Sequence, residues 1–224
     1  MGRTGFRLRR HVFLQKHPCQ ARDRRMTAAS SKGRVLVLFA HPCPESFNAA
    51  VHEVVVQTLT KSGWEVDDCD LYKEGFQPVL TEIERRGYHE EPKNIEPVRP
   101  YVERVKAADA IVMVFPVWNF GYPAILKGFL DRVFLPGISF RLRDGKVRPG
   151  LTNIKKLYAL TTYGGTRWRA IQNADPPRKT VTRAVWYACG MPRKKYIGLY
   201  DMNRNSQATL KAHLERVRRE MEAY

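Results

Sequence analysis

The chain has 224 residues, 43% hydrophobic and 11% aromatic, with 39 Lys+Arg against 22 Asp+Glu and a formal net charge of +17. That size suggests one domain with extensions, and the apolar content excludes wholesale disorder. No run of roughly 18 apolar residues predicts a transmembrane helix, and four scattered cysteines (Cys19, Cys43, Cys69, Cys189) form neither a CxxC pair nor a disulfide framework, which fits a reducing, cytoplasmic setting.

Residues 1–26 carry eight bases and one acid and lack an apolar stretch long enough for a secretory signal. They read as a disordered basic extension, with Met26 the natural beginning, or as an organellar transit segment. The domain itself is expected over 27–224. Arg34–Phe39 is a continuous apolar run, the pattern of a strand buried on both faces. The prolines of His41-Pro-Cys-Pro-Glu-Ser46 make a loop, and Asn48 to Lys61 reads as a helix ended by Ser62-Gly63. Trp64–Leu71 alternates as a second strand. Residues 73–96, with Pro78 and Pro92, are irregular with one short helix, and Val98 to Ala107 is helical. Ala110–Phe115 is a third strand, Pro116 to Pro123 a loop, and Ala124 to Phe134 a helix. Leu157–Thr161 is a fourth strand followed by the loop Tyr163-Gly164-Gly165. A helix over Thr180–Cys189, a fifth strand over Lys195–Tyr200 and a helix over Ser206–Glu222, with Ser206 as N-cap, close the chain.

Strands that alternate with helices need crossover connections, so the expected fold class is α/β: a doubly wound five-stranded parallel sheet with helices on both faces. Ligands of such sheets bind beyond the carboxyl ends of the strands, here the loops after Phe39, Phe115 and Thr161. The first loop opens a helix, whose free amides and partial positive charge suit an anion, with Ser46, Asn48 and His41 as further donors. Ser46 or Asn48 could equally do no more than cap the helix. No GxxxxGK[ST] occurs, which removes support for ATP hydrolysis. The second loop, Pro116-Val117-Trp118-Asn119-Phe120-Gly121-Tyr122-Pro123, offers aromatic surface on an extended, inflexible path. The third, Thr161-Thr162-Tyr163-Gly164-Gly165, offers hydroxyls and a glycine pair that permits close backbone approach. Phosphate donors, a flat aromatic floor and a Gly-rich edge suggest a flavin mononucleotide moiety.

The segments AHPCPESFNAA (40–50), GWEVDDCDLY (63–72), FPVWNFGYPAILKGFLDRVF (115–134) and TTYGG (161–165) resemble the NAD(P)H:quinone oxidoreductases of flavodoxin-like fold. The resemblance implies that His41, Ser46, Phe47 and Asn48 bind the flavin's phosphate and ribityl chain. It implies that Pro116, Val117, Trp118, Asn119 and Phe120 lie under the isoalloxazine ring, and that Thr161, Thr162, Gly164 and Gly165 form its hydrophilic edge. Tyr163 is an insertion relative to the usual TTGG. Fuller members place a Tyr and a His shortly after the glycines as a charge relay, and residues 166–178 contain neither. Arg167 and Trp168 are candidates to shape the acceptor pocket instead.

The function this implies is hydride transfer from NAD(P)H through bound flavin (FAD or FMN) to a quinone or similar two-electron acceptor, by a homodimer with its site at the interface. Residues 141–195, with fourteen bases against two acids, would attract the phosphate-rich nicotinamide cofactor. The alternative is a flavin-binding ancillary subunit of a potassium-efflux transporter, docked through its basic patches as a peripheral membrane partner. No metal site is expected. Charge alone would allow nucleic-acid binding, but no motif supports it and none is expected.

Overall fold

The computed structural model describes residues 31–224. The expected basic extension 1–26, its boundary with the domain, and Cys19 lie outside the described residues. In chain order the elements are β1 (Arg34–Phe39), α1 (Phe47–Lys61), β2 (Glu65–Asp70), α2 (Glu82–Arg86), a 3₁₀ turn Lys93–Val98, α3 (Arg99–Ala107), β3 (Ala110–Val117) and α4 (Ala124–Val133). There follow β4 (Phe140–Arg143), β5 (Lys146–Pro149), β6 (Lys156–Tyr163), α5 (Arg167–Gln172) and α6 (Pro176–Lys179). A π-helical segment Thr180–Val185 continues α6 into α7 (Trp186–Ala188), and β7 (Arg193–Leu199) and α8 (Gln207–Glu222) complete the chain.

Five of the strands form one parallel sheet in the order β2-β1-β3-β6-β7, as the alternation of strands and helices predicts. Side chains alternate across a strand, so β1 sends Leu36 and Leu38 to one face and Val35 and Val37 to the other. The first face is covered by α3, α4 and the composite helix through Val102, Val105, Leu126, Phe129, Val181 and Val185. The second is covered by α1 and α8 through Val51, Val55, Leu59, Val217 and Met221. Each such side chain, moved from water to the interior, contributes about 1.5–3 kcal/mol. No helix among the described residues is long and apolar enough to cross a membrane.

Two expectations about strand ends are corrected. β3 does not stop at Phe115 but runs through Pro116 to Val117, pairing Pro116 with Thr162 and Val117 with Tyr163. A proline lacks the N–H for a central ladder, yet its fixed φ is compatible with extended backbone at a strand end. β6 likewise includes Tyr163, so that residue is sheet and not loop. The chain after β3 is not extended either. Asn119 (φ 49°) and Phe120 (φ 54°) are both left-handed, and two backbone hydrogen bonds link Trp118 and Gly121 (3.2 and 2.8 Å), the geometry of a type I′ turn.

The sequence reading also passed over the β4–β5 hairpin and α5. The hairpin turns on Asp144-Gly145, both at positive φ. Across it Arg141 faces Arg148, Arg143 faces Lys146, and Leu142 faces Val147; the two apolar side chains remain 68% and 50% exposed.

Candidate functional site

Parallel register sets the carboxyl ends of β1, β3 and β6 side by side, Phe39 opposite Val114 and Phe115 opposite Thr161. The three loops named from the sequence therefore converge. Ser46 is the N-cap of α1: its hydroxyl oxygen accepts from Ala49 N–H at 3.1 Å, so capping is one of its roles. The first turn of α1 carries no acidic side chain, which suits its positive end to an anion, although Glu45 just before the cap sets a negative charge near His41. Phe47 starts the helix, but its ring turns to the second core face, 6.0 Å from the His213 ring. What Phe47 presents to the loop is backbone.

Asn48 joins the first loop to the third. It is 3% exposed, and its Nδ2 donates to Thr162 Oγ1 at 2.5 Å. The other end of the carboxamide, Oδ1, is buried with no partner among the described residues. Thr161, one residue before Thr162 on β6, points to the opposite face of the sheet, where its hydroxyl meets that of Tyr196. Buried polar atoms are nearly always paired, so an unpaired one where the first and third loops meet marks a candidate place for a ligand's polar group. His41 joins the first loop to the second, its ring edge-on to Trp118 with centroids 5.8 Å apart. Cys43 N–H donates to His41 Nδ1 at 3.0 Å, so the neutral ring carries its proton on Nε2. Burial holds the imidazole's pKa below its ordinary value. A cleft of about 530 Å³ lined by His41, Pro42, Pro44, Tyr72 and Lys73 adjoins this loop.

Pro116 is buried, Val117 is half-buried against the core, Trp118 is 41% exposed and Asn119 is exposed at the turn. Phe120 is half-buried and held left-handed, a conformation non-glycine residues adopt at a cost of about 1–3 kcal/mol and chiefly at functional sites. The glycines of the third loop have no positive φ, and a Cβ on Gly164 or Gly165 would come no closer than 3.7 and 3.9 Å to other protein atoms. Neither backbone conformation nor internal packing requires glycine there. Room for close approach by a ligand is the reason that remains.

Tyr163 is where the sequence reading fell short. Its hydroxyl is the centre of a buried network, donating to Asp175 Oδ1 at 2.7 Å and lying 2.5 Å from the Tyr196 hydroxyl. Its ring stacks on Tyr200 at 4.4 Å. Burial pushes the Tyr163 pKa far above its usual range, so the group is a fixed hydrogen-bond donor. Asp201 N–H adds a bond to Gly165 O at 2.8 Å. The glycine edge is thus held by Asp175, by Tyr196 of β7 and by Tyr200 after it, through side chains 12 to 37 positions from Tyr163 whose role no local motif announces. The one signal was Asp175 before Pro176-Pro177, a sequence that favours a turn.

Comparison with known proteins bears on this arrangement. A family model described as Flavodoxin_2, flavodoxin-like fold, matches residues 33–223. NAD(P)H dehydrogenase [quinone] 1 of Rattus norvegicus is 32% identical over 155 residues, which cover 62% of this chain and 57% of that protein. The chain thus spans a little over half the length of that curated relative. Among solved structures, Smu.1420 of Streptococcus mutans UA159 superposes with a TM-score of 0.75 at 28% identity, covering 85% of this chain and 100% of the other. The NAD(P)H:quinone oxidoreductase of Methanothermobacter marburgensis gives 0.74 at 25% identity, covering 85% and 98%.

Proposed function

The chain belongs to the Flavodoxin_2 family of flavodoxin-like fold, and on that premise we propose that it is an NAD(P)H-dependent flavin oxidoreductase acting on a quinone or a similar two-electron acceptor. The observation that carries this reading is the buried, half-satisfied carboxamide of Asn48 at the junction of the first and third loops. Beside it stand a helix N-terminus with no acid in its first turn and a glycine edge open to close approach.

The residues present fit a flavin. Backbone N–H groups at the start of α1, with the hydroxyl of Ser46 and Nε2 of His41, would hold its phosphate. Asn48 would receive the polar ribityl chain, the backbone of Thr161 and Thr162 would join the glycine edge, and Trp118, Asn119 and Phe120 with Pro116 and Val117 would form the surface against the ring. A bound flavin supplies the redox chemistry, accepting a hydride from NAD(P)H and passing it to the acceptor. The chain's part is to stack, orient and exclude water. The N–H groups of Gly164 and Gly165, beside Thr162, would donate to the ring's polar edge and stabilise negative charge there. A preorganised backbone donor of that kind does its work without titrating. Trp168 is 66% exposed and Ile171 53% exposed on α5, next to the site; such apolar surface suits the interface of a homodimer. None of the relatives named above is a transporter subunit, so the ancillary-subunit alternative gains no support.

The test is purification followed by mass identification of any released flavin and a steady-state assay with NADH, NADPH and a quinone panel. A yellow protein that oxidises NAD(P)H only when a quinone is added is the expected result. A colourless protein that takes up neither FMN nor FAD would overturn the proposal.

A further inference from the structure

Beyond the glycine edge lies a second cavity, of about 400 Å³, lined by Arg167, Asp175, Arg178, Lys179, Thr182, Arg183 and Tyr200. Tyr200 links it to the site, since its ring stacks on Tyr163 at the end of β6 and the next residue's N–H bonds Gly165. The chain pairs its partly buried arginines: Arg34 and Arg104 with Asp67, Arg104 also with Glu74, and Arg132 with Glu84, whereas Arg167, Arg178, Lys179 and Arg183 stand exposed at the cavity rim. The four cations of this cavity form no ion pair among the described residues. The one carboxylate in the wall, Asp175, is 9% exposed and turned inward onto the Tyr163 hydroxyl.

The cavity wall is also held in place. Ala174 (φ 60°) and Asp175 (φ 44°) are consecutive left-handed non-glycine residues. The segment carrying Thr182 and Arg183 is π-helical, a geometry that recurs at functional sites. Lys194 Nζ ties that segment to β7 through Thr182 O at 2.6 Å, and the Arg178 guanidinium is steadied over the Tyr196 ring at 5.4 Å. A phosphate monoester carries about −1.5 to −2 charges near neutral pH and three strong acceptor oxygens, the complement of several converging cations. Arginine forks match phosphate oxygens in pairs. NADPH differs from NADH by one such group.

We propose that the cavity lined by Arg167, Arg178, Lys179 and Arg183 is a phosphate-monoester subsite that takes the 2′-phosphate of NADPH. The assignment rests on the oxidoreductase reading above, so its test includes a measurement independent of turnover. Titration calorimetry on the purified full chain compares adenosine 2′,5′-bisphosphate with adenosine 5′-monophosphate. The bisphosphate is expected to bind at least about tenfold more tightly, and the Lys179→Ala/Arg183→Ala variant, which removes two of the four cations, to lose at least about that factor. In steady state the same variant is expected to lower the ratio of kcat/KM for NADPH over NADH by about tenfold through KM. Equal binding of the two nucleotides, or a bisphosphate affinity the variant does not change, would overturn the subsite. Inorganic phosphate that competes as well as the bisphosphate would mean a free-phosphate site and would overturn the dinucleotide assignment. A protein that shows the expected bisphosphate preference but no NAD(P)H oxidation would uphold the subsite and sink the oxidoreductase reading instead.

Discussion

Asn48 spends one end of its carboxamide on Thr162 and leaves the other buried without a partner. An unsatisfied buried polar atom costs about 1–3 kcal/mol, which a ligand atom of the right kind recovers on binding. Asn48→Ala removes the bridge and the unpaired atom together. Its expected effect is on ligand more than on fold: flavin affinity falls by about tenfold or more, while urea stability of the flavin-free protein moves by no more than about 1 kcal/mol. Fluorescence titration with FMN and FAD reads the first, and an affinity equal to wild type would place the polar contact elsewhere. Tyr163 acts in the opposite sense, on the frame that holds the glycine edge. Tyr163→Phe leaves Asp175 and the Tyr196 hydroxyl without their shared partner, so a loss of roughly 1–3 kcal/mol in urea unfolding is expected. Asn48 was legible as a candidate because a short polar motif opens a helix. Tyr163 was not, because its partners lie on β7 and the αL corner, and only packing brings them together.

Among the elements, β1, β3 and β6 could be read directly, since a strand buried on both faces must be apolar throughout. The hairpin β4–β5 could have been read as well. Asp144-Gly145 is a strong I′ turn signal, but the flanking Arg-rich strands are exposed apart from Phe140 and Pro149 at their far ends and give no core periodicity. The turn at Trp118–Gly121 was hidden for another reason: its left-handed positions are Asn119 and Phe120, and phenylalanine is not a residue from which positive φ is inferred. Helix α8 was plain from Ser206 onward, and its docking face holds a titratable group. His213 is buried against Phe47 of α1, with Nε2 unpartnered among the described residues. Burial, with Arg216 nearby, lowers its pKa to about 4. The folded state therefore binds this proton less readily than the unfolded chain, and stability falls as pH drops from the unfolded value toward 4. At about 1.4 kcal/mol per unit the loss reaches roughly 2–3 kcal/mol. His213→Leu is expected to flatten that limb, gaining on wild type at pH near 4.5 and converging with it near pH 7. Urea midpoints across the range check this, and parallel curves for the two proteins would show that the helix interface does not govern acid sensitivity.

At the scale of the whole molecule the core is built from Arg34 onward, and its two faces are closed by helices within the described residues. The sequence places residues 1–25 outside the domain, and truncation tests that expectation. A chain beginning at Met26 is expected to unfold at the same urea midpoint as the full chain and, on the dimer proposed above, to sediment at roughly twice its monomer mass. Loss of either property on truncation would assign the basic segment a part in folding or assembly. Charge is divided along the chain in a way that composition alone hides. The β1–α4 half answers its arginines with Asp67, Glu74 and Glu84, while residues 141–195 set fourteen bases against two acids. Long-range attraction of anionic ligands is thereby concentrated on one part of the sequence, where ionic strength modulates it.

The β4–β5 hairpin is the sharpest instance of that imbalance. Arg141 opposite Arg148 and Arg143 opposite Lys146 put like charges directly across a two-stranded ladder, an arrangement that weakens strand pairing. Two strands alone are marginal in water. Dissolved ions should then act as the missing counter-charge: added salt screens the repulsion over about 10 Å at 0.1 M and closes the hairpin more firmly. Its amides should exchange with deuterium more slowly as sodium chloride rises, while those of β1 and β3 keep their rates. The hairpin would thus work as a local ionic-strength gauge mounted on a sheet indifferent to salt, its opening frequency set by the solution and not by the core beneath it.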